Sequence, residues 1–215
     1  MDSIKQVVIL AGGKGTRMRE MTEDLPKPMV PVGGIPVLDH LISIYEKYDN
    51  FEYLICSGYL GEIIRNHYET KKNVKVVDTG LETNTGGRLL KLKELLDENF
   101  MITYGDGLAN VNIAKLINFH KSQKTIGTLT VTNPVSRFGL VEFDENRKVN
   151  KFIEKPILSG FINIGFMIFN KKFLQYLDSD SILESEPLNN LSIDSELSAY
   201  THNGYFEPMD TYREY

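Results

Sequence analysis

The sequence predicts an α/β fold in which a mostly parallel sheet carries helices on both faces. Through the first 122 residues, short apolar runs alternate with segments whose apolar residues recur at helical spacing, an order typical of such sheets. Two glycine-rich turns, at residues 12–15 and 105–107, each follow directly on an apolar run. Ligands bind beyond the carboxyl ends of parallel strands, so both turns lie where a Rossmann-like sheet has its binding site.

The individual elements of this first part follow from the same pattern. The apolar runs predict strands at residues 6–11, 52–57, 74–77 and 100–104. The periodic segments predict a helix that begins at Pro36 and further helices over residues 61–69, 87–97 and 112–122.

The pattern changes from residue 125 onwards. Short strands are expected at residues 125–132, 138–143, 148–153 and 161–169, separated by turn residues. No linker or low-complexity tract divides the chain, and single α/β domains commonly reach this length. We therefore expect one domain over residues 1–215, with a small mixed-sheet extension in its second part.

Composition excludes several classes of protein. With 41% hydrophobic and 25% charged residues, the 215-residue chain has an ordinary globular composition, and its net charge of −5 argues against a general nucleic-acid binder. The single cysteine, Cys56, excludes an internal disulfide and a cysteine metal cluster. The four histidines are scattered without metal-ligand spacing. No apolar run approaches the roughly 20 residues that span a bilayer, and the N-terminus does not resemble a signal peptide, so we expect a cytoplasmic protein.

The first glycine-rich loop predicts a polyphosphate site. Glycines let several backbone N–H groups point at an anion, and Lys and Arg add full positive charges. The loop and its flanks comprise Leu10, Ala11, Gly12, Gly13, Lys14, Gly15, Thr16 and Arg17. An ordinary strand-to-helix turn with a solvated basic residue is the alternative.

Two known glycine loops fit this segment poorly. The Gly-x-x-x-x-Gly-Lys-Ser/Thr order of a Walker loop does not occur. The dinucleotide fingerprint needs a glycine where Met18 stands and an acid after the second strand, where the chain has Ser57 and Gly58. A hydride-transfer enzyme is therefore disfavoured.

Other segments offer groups for the same chemistry. Asp106 stands between two glycines after an apolar run and could bind a metal ion, or serve only as a turn residue. Lys27 stands between two prolines that stiffen its loop for phosphate binding; an exposed lysine is the alternative. Glu154 and Lys155 offer a carboxylate and a cation, or merely a surface ion pair. The segment Thr85, Gly86, Gly87 and Arg88 could admit a flat base to the backbone, or simply begin a helix.

Together these motifs resemble those of the sugar nucleotidyltransferase superfamily, in the same order and over nearly the whole chain. Within it, the chain is most similar to the glucose-1-phosphate cytidylyltransferase family, through residues 77–80, 85–88, 103–107, 137–139 and 208–211. The departures lie on the acceptor side: a segment before Val74 is absent, the loop between Pro156 and Asn163 is altered, and the chain stops soon after Asp210.

The resemblance implies a nucleotidyltransferase fold, CTP as the nucleotide and Mg²⁺ held by Asp106 and Asp210. Residues 1–122 would form the nucleotide-binding part, and residues 123–215 the acceptor-binding part. The implied catalytic residues are Arg17, Lys27 and Asp106. The implied nucleotide site comprises residues 10–17, Ser57, Gly58, Thr85, Gly86, Gly87, Arg88 and Asp106, with Gly86 and Gly87 at the cytosine and Arg88 at a phosphate. The implied acceptor site comprises Lys27, Tyr104, Gly139, Glu154, Lys155 and Asn163.

We therefore expect a cytidylyltransferase that joins CMP to a small phosphorylated acceptor and releases pyrophosphate, for cell-surface polysaccharide biosynthesis. The expected acceptor is a sugar 1-phosphate such as glucose 1-phosphate. A non-sugar acceptor is the alternative, and it would be a phosphorylated amide such as phosphoglutamine, or phosphocholine, or a phosphonate. The expected partners are small molecules, with no nucleic acid and no membrane. Whether the protein forms a homo-oligomer is left open by the sequence. The rivals are an inactive nucleotide-sensing module and a glycosyltransferase-like enzyme.

Overall fold

The structure, a computed structural model, describes residues 4–212 and 215. Within them the strands are β1 (Gln6–Leu10), β2 (Pro31–Val32), β3 (Ile35–Pro36), β4 (Glu52–Ser57), β5 (Val74–Asp78), β6 (Asn99–Tyr104), β7 (Gly107–Ala109), β8 (Gly127–Thr132), β9 (Leu140–Phe143), β10 (Val149–Ile153), β11 (Ile162–Asn170), β12 (Leu197–Thr201) and β13 (Phe206–Pro208). The α-helices are α1 (Arg19–Thr22), α2 (Val37–Glu46), α3 (Gly61–His67), α4 (Thr85–Lys91), α5 (Ile113–Gln123) and α6 (Glu186–Ile193). None of these helices is both long and apolar enough to cross a membrane.

Seven strands form the central sheet, in the order β12-β8-β11-β6-β1-β4-β5. Strands β6, β1, β4 and β5 pair in parallel, as do β12 and β8, whereas β11 runs antiparallel to both of its neighbours. The prediction of a mostly parallel α/β sheet is confirmed.

Helices cover both faces of this sheet because the strands are apolar on both sides. Side chains of α2, α3 and α5 join one core cluster, in which Tyr45 packs against Phe166 of β11. Side chains of α4 and α6 join the cluster on the opposite face, together with Phe169 and Phe173. All five residues of β1 are buried, as expected for a central parallel strand.

The mixed-sheet extension predicted in the second part of the chain lies partly within the central sheet. Strands β8, β11 and β12 continue that sheet, whereas the hairpin of β9 and β10 and the short strand β13 lie outside it. All four residues of β9 are exposed. Strand β12, helix α6 and the short pair of β7 and β13 were not predicted.

The helix predicted over residues 87–97 differs most from its predicted bounds, whereas α3 and α5 differ by one or two residues. Helix α4 begins at Thr85, earlier than the predicted residue 87, and ends at Lys91, after which Lys93–Leu95 form a 3-10 turn. The helix ends because the backbone at Leu92 leaves the helical region, and the N–H of Leu95 bonds three residues back to the carbonyl of Leu92 at 2.7 Å. Leu95 is therefore half exposed and does not extend the apolar face.

Candidate active site

The two glycine-rich turns meet at the carboxyl ends of the central strands. Strands β1 and β6 are neighbours with Leu10 opposite Tyr104, and the N–H of Gly105 donates to the carbonyl of Leu10 at 3.0 Å. A side chain at Gly105 would approach Pro28 and Ala11 to 3.0 and 3.3 Å, so glycine permits this close contact. The first loop and the Asp106 turn therefore border one cleft.

Lys27 links the two aspartates across this cleft. Its Nζ donates to Asp106 Oδ2 at 2.6 Å and to Asp210 Oδ1 at 2.9 Å. The lysine begins a 3-10 turn after Pro26, and its side chain is 11% exposed. Burial by itself lowers the pKa of Lys27, but the charges and hydrogen bonds of the two carboxylates outweigh burial and raise the pKa, so the amine is protonated at neutral pH.

The short strand pair of β7 and β13 explains why Asp210 lies beside Asp106. Pro208 is paired with Gly107, and the N–H of Met209 donates to the carbonyl of Asp106 at 2.9 Å. This pairing joins segments about 100 residues apart in the chain, which spacing alone does not reveal. The two carboxylates therefore converge without being neighbours in sequence.

A cavity of about 390 Å³ extends from these carboxylates along the first loop. It is lined by Leu10, Ala11, Gly12, Gly13, Gly15, Thr16, Lys27, Pro28, Thr83, Asn84, Thr85, Arg88, Tyr104, Gly105, Asp106 and Asp210. Most of the predicted nucleotide-site residues are thus brought together here. Sequence reasoning missed Thr83 and Asn84, which carry no signal of their own, whereas Pro28 was noted as one of the two prolines beside Lys27.

Within the first loop, the glycines differ in what they permit. Gly15 has a positive φ of +61°, which favours glycine, while a Cβ at Gly13 would meet nothing within 4 Å. Lys14 does not line the cavity; its Nζ pairs with Glu82 at 2.7 Å on the surface. The side chain of Arg17, expected to be catalytic, lies outside the described residues.

In the structure, Arg88 contacts oxygens of the protein itself, whereas the expected contact was with a phosphate of the nucleotide. Its side chain is buried, and burial lowers its pKa. The guanidinium donates to the carbonyls of Gly12, Ser57, Gly80 and Leu81 and to the hydroxyl of Thr79, at 2.7 to 3.3 Å. It therefore fixes the first loop to the segments after β4 and β5, and binding of a phosphate by Arg88 stays a prediction.

Ser57 and Gly58 belong to the same junction and do not line the cavity. The Ser57 carbonyl accepts from Arg88 and from Thr79, and the Ser57 hydroxyl donates to Val77. A Cβ at Gly58 would come within 2.7 Å of the Gly12 carbonyl, so glycine allows the two loops to touch. Both residues support the first loop from behind.

Gly86 and Gly87 also lie outside the cavity lining. Their N–H groups donate to the carbonyl of Ser181 at 2.9 and 3.2 Å, and a Cβ on Gly87 would overlap the carbonyl of Ser179. The glycines thus let the segment of residues 178–185 pack across the start of α4. Contact of these two glycines with a cytosine stays a prediction, whereas Thr85 does line the cavity.

A second cavity, of about 860 Å³, adjoins the first and shares Tyr104, Asp106 and Asp210 with it. Its other lining residues are Gly107, Leu129, Ile162, Asn163, Ile164, Glu184, Ser185, Leu188, Asn189, Phe206 and Pro208. Two predicted acceptor residues, Tyr104 and Asn163, lie here, with Lys27 at the border of the two cavities. The Tyr104 hydroxyl donates to Glu184, and burial together with Glu184 and Asp106 raises the pKa of Tyr104, so the phenol stays protonated.

The remaining predicted acceptor residues are not brought to either cavity. Glu154 and Lys155 are exposed at the end of β10, and Gly139 stands before β9 on the same hairpin. A Cβ at Gly139 would meet the Phe152 ring within 2.7 Å, which explains a glycine there by packing alone. Their role in acceptor binding stays a prediction, while Glu184, which sequence reasoning missed, lines the second cavity.

The donor set at the border of the cavities suits a divalent cation. Asp106 and Asp210 both bind one ammonium nitrogen, so a cation already lies between their oxygens. Among the residues that the structure describes, no group of three or more His, Cys, Asp or Glu side chains could hold a metal by itself. In proteins, Mg²⁺ is usually bound by one or two carboxylates, and phosphate oxygens of a substrate complete its coordination.

Comparisons with known proteins agree with this geometry. A family model described as nucleotidyl transferase matches residues 6–209. The glucose-1-phosphate cytidylyltransferase of Salmonella typhi is 38% identical over 238 aligned positions, covering 97% of this chain and 92% of the relative. Because the alignment is longer than this 215-residue chain, the relative contains residues without a counterpart here.

Two solved structures share the fold. HddC from Yersinia pseudotuberculosis has a TM-score of 0.74 at 24% identity, covering 99% of this chain and 96% of that one. A UDP-glucose pyrophosphorylase from Acinetobacter baumanii has a TM-score of 0.75 at 18% identity, covering 99% and 90%.

Proposed function

This chain belongs to the nucleotidyl transferase family, and we propose that it is a CTP-dependent cytidylyltransferase acting on a small phosphorylated acceptor. The reaction joins CMP to the acceptor phosphoryl group and releases pyrophosphate. The similarity to glucose-1-phosphate cytidylyltransferases supports a sugar 1-phosphate as acceptor. A non-sugar such as phosphoglutamine is the second candidate, because the segments expected on the acceptor side differ from those of that family. Polysaccharide biosynthesis, cytoplasmic location and homo-oligomerisation stay predictions.

The observation that carries the proposal is the position of Lys27. Its ammonium lies at the border of the two cavities, held by Asp106 and Asp210. A nucleotide in the first cavity and an acceptor in the second would both present phosphoryl groups to this point. A fixed cation there lowers the repulsion between two anions that must approach to bonding distance.

The chemistry needs no general base. A phosphate monoester has a second pKa of about 6, so its oxygen is already an anionic nucleophile near neutral pH. That oxygen attacks the α-phosphorus of CTP, a new phosphorus–oxygen bond forms, and the bond to the pyrophosphate leaving group breaks. Lys27 orients the reacting oxygens, and the first loop, with backbone N–H groups at residues 12–16, holds the triphosphate.

Asp106 and Asp210 are the residues that would hold Mg²⁺. When bound, the ion supplies positive charge to the phosphate oxygens, including the charge that builds up on the leaving pyrophosphate. The two aspartates provide its protein ligands, and their own placement depends on the pairing of β7 with β13.

A screen of pyrophosphate release tests the proposal. Four nucleoside triphosphates are combined with phosphorylated sugars, amides and phosphonates, and CTP is expected to give the highest rate. Lys27→Ala and Asp106→Asn should each lower turnover by two or more orders of magnitude with little loss of stability. Lys72→Ala, an exposed lysine at the opposite end of the sheet, is the matched control and should leave turnover unchanged.

Other outcomes identify the rivals. CTP binding without pyrophosphate release from any acceptor indicates a nucleotide-sensing module. Release of a nucleoside diphosphate indicates a glycosyltransferase-like enzyme. Wild-type pyrophosphate release by Lys27→Ala would show that the role assigned to this lysine is wrong.

A further inference from the structure

The second cavity differs from the first in its charge. Of its described lining residues, those that carry charge at neutral pH are Asp106, Asp210 and Glu184, and none is lysine or arginine. Lys27 reaches the two aspartates from the first cavity. The phosphoryl group of an acceptor would thus have a cation beside it. The part of the cavity away from Lys27 is lined by the carboxylate of Glu184, the amides of Asn163 and Asn189, and apolar side chains.

Glu184 is held in place from two sides. Its Oε1 accepts the hydroxyl hydrogen of Tyr104, and its Oε2 accepts that of Thr85 at 2.9 Å. Tyr104 in turn packs on the backbone of Gly165, where a Cβ would overlap the ring. A carboxylate has about four lone-pair positions, so two remain for a ligand after these two bonds.

The segment that carries Glu184 is also fixed to the wall of the first cavity. The amide of Asn84 donates to the carbonyl of Asp180, and the N–H of Leu183 donates to the hydroxyl of Thr85, both at 2.9 Å. Ser181 accepts from two N–H groups at the start of α4. Glu184 is therefore pre-positioned, so little conformational freedom is lost when it binds a ligand.

We infer that Glu184 determines acceptor specificity: it binds hydroxyl or ammonium donors on the part of the acceptor away from the phosphoryl group and excludes acceptors with a second anionic group there. The inference rests on the proposed function, because it needs an acceptor in the second cavity. An anionic group placed beside Glu184 would face a fixed like charge and would lack the hydrogen-bond donors that a carboxylate requires.

The test compares acceptors that differ in one distant group, which is a neutral hydroxymethyl group in one member of a pair and a carboxylate in the other. Glucose 1-phosphate is paired with glucuronic acid 1-phosphate, and glycerol 3-phosphate with 3-phosphoglycerate. For each pair that supports pyrophosphate release with CTP, the ratio of kcat/KM for the neutral and the anionic acceptor is measured. The wild type should prefer the neutral acceptor by at least about tenfold, and Glu184→Gln should reduce that ratio by about tenfold.

Two further variants separate specificity from structure. Glu186→Gln removes an exposed acid two residues away that does not line the cavity, and it should leave the ratio unchanged. Asn189→Asp adds a negative charge to the cavity wall and should increase the ratio, which keeps the test decisive if Glu184→Gln fails to fold. A structural role alone would move Tm and all rates together, without changing the ratio.

The outcomes separate the role of Glu184 from the proposed function. Pyrophosphate release with equal rates for neutral and anionic acceptors overturns the inference and leaves the proposed function standing. An unchanged ratio in a folded Glu184→Gln variant does the same, as does an unchanged ratio in Asn189→Asp where Glu184→Gln fails to fold. Absence of pyrophosphate release with every acceptor contradicts the proposed function and the inference with it.

Discussion

The buried guanidinium of Arg88 allows a quantitative test of how the first loop is held to the segments after β4 and β5. Arg88→Met keeps most of the apolar length of the side chain and removes every donor. Arg88 is 4% exposed and binds five oxygens. The carbonyls of Gly12 and Ser57 also accept from Tyr59 and Thr79, and the Thr79 hydroxyl still donates to Ser57, so these three groups keep a partner without the guanidinium. Among the described contacts, the carbonyls of Gly80 and Leu81 lose their donor. At roughly 1–3 kcal/mol for each unpartnered acceptor, these two lower the free energy of unfolding by about 4 kcal/mol.

Denaturation measures this loss directly. In a protein of this size, 1 kcal/mol corresponds to a shift in Tm of roughly 2–4 °C, so Arg88→Met should lower Tm by about 10 °C. In urea the midpoint should fall at an unchanged slope. Lys93→Met, an exposed change just beyond α4, is the control and should stay within about 0.5 kcal/mol of the wild type.

The same variant distinguishes a phosphate ligand from a structural anchor. A residue that only binds phosphate would leave Tm of the ligand-free protein unchanged on substitution and would raise KM for CTP. A residue that anchors the first loop would lower Tm even without nucleotide. A ligand-free Arg88→Met protein with wild-type Tm and urea midpoint would refute the anchoring role of this guanidinium.

The remaining predictions concern the acceptor wall and a buried histidine. Gly165→Ala, at φ +82° and against the Tyr104 ring, should destabilise the protein by about 1–3 kcal/mol and raise KM for the acceptor more than KM for CTP; equal effects on both constants would contradict this. Burial, with a smaller effect of Lys121, lowers the pKa of His120 to about 4, and its Nδ1 lies 2.8 Å from Thr128 Oγ1. Between about pH 6.5 and pH 4 the unfolded chain therefore binds a proton on His120 that the folded protein does not bind. As the pH is lowered through this window, the free energy of unfolding should fall by up to about 3 kcal/mol. In His120→Gln the free energy of unfolding should depend on pH by that much less. Parallel pH profiles for the wild type and His120→Gln would exclude this role.

The first part of the fold could be predicted from the sequence because its signals are local. Strand β4 covers the predicted residues 52–57, and helix α2 begins directly after Pro36. A parallel strand buried on both faces is a continuous apolar run, which the sequence shows without knowledge of its neighbours. Strand β12 carries no such signal, since its residues are only partly buried at the edge of the sheet.

The site could be predicted only where a motif identifies a residue by its local context. The glycines around Asp106 and the prolines around Lys27 are such contexts, and both residues lie at the border of the cavities. Glu184 has no such context, because its position depends on hydrogen bonds to Tyr104 and Thr85, which are about 80 and 100 residues away in the chain. Arg88 was identified, but its contacts with buried carbonyls follow from the meeting of three loops and not from its neighbours in sequence.

The charges at the border of the cavities lead to one further conclusion about substrate binding. Lys27 carries one positive charge, and the two carboxylates that it contacts, Asp106 and Asp210, carry one negative charge each. Each carboxylate repels an approaching phosphate, so positive charge that enters with the substrates would lower this repulsion further. A divalent cation accompanying the triphosphate would supply that charge between the two carboxylates, and Lys27 could then contact a phosphoryl oxygen. The arrangement of one lysine between two aspartates is therefore better suited to binding a metal-bound nucleotide than to binding a free anion.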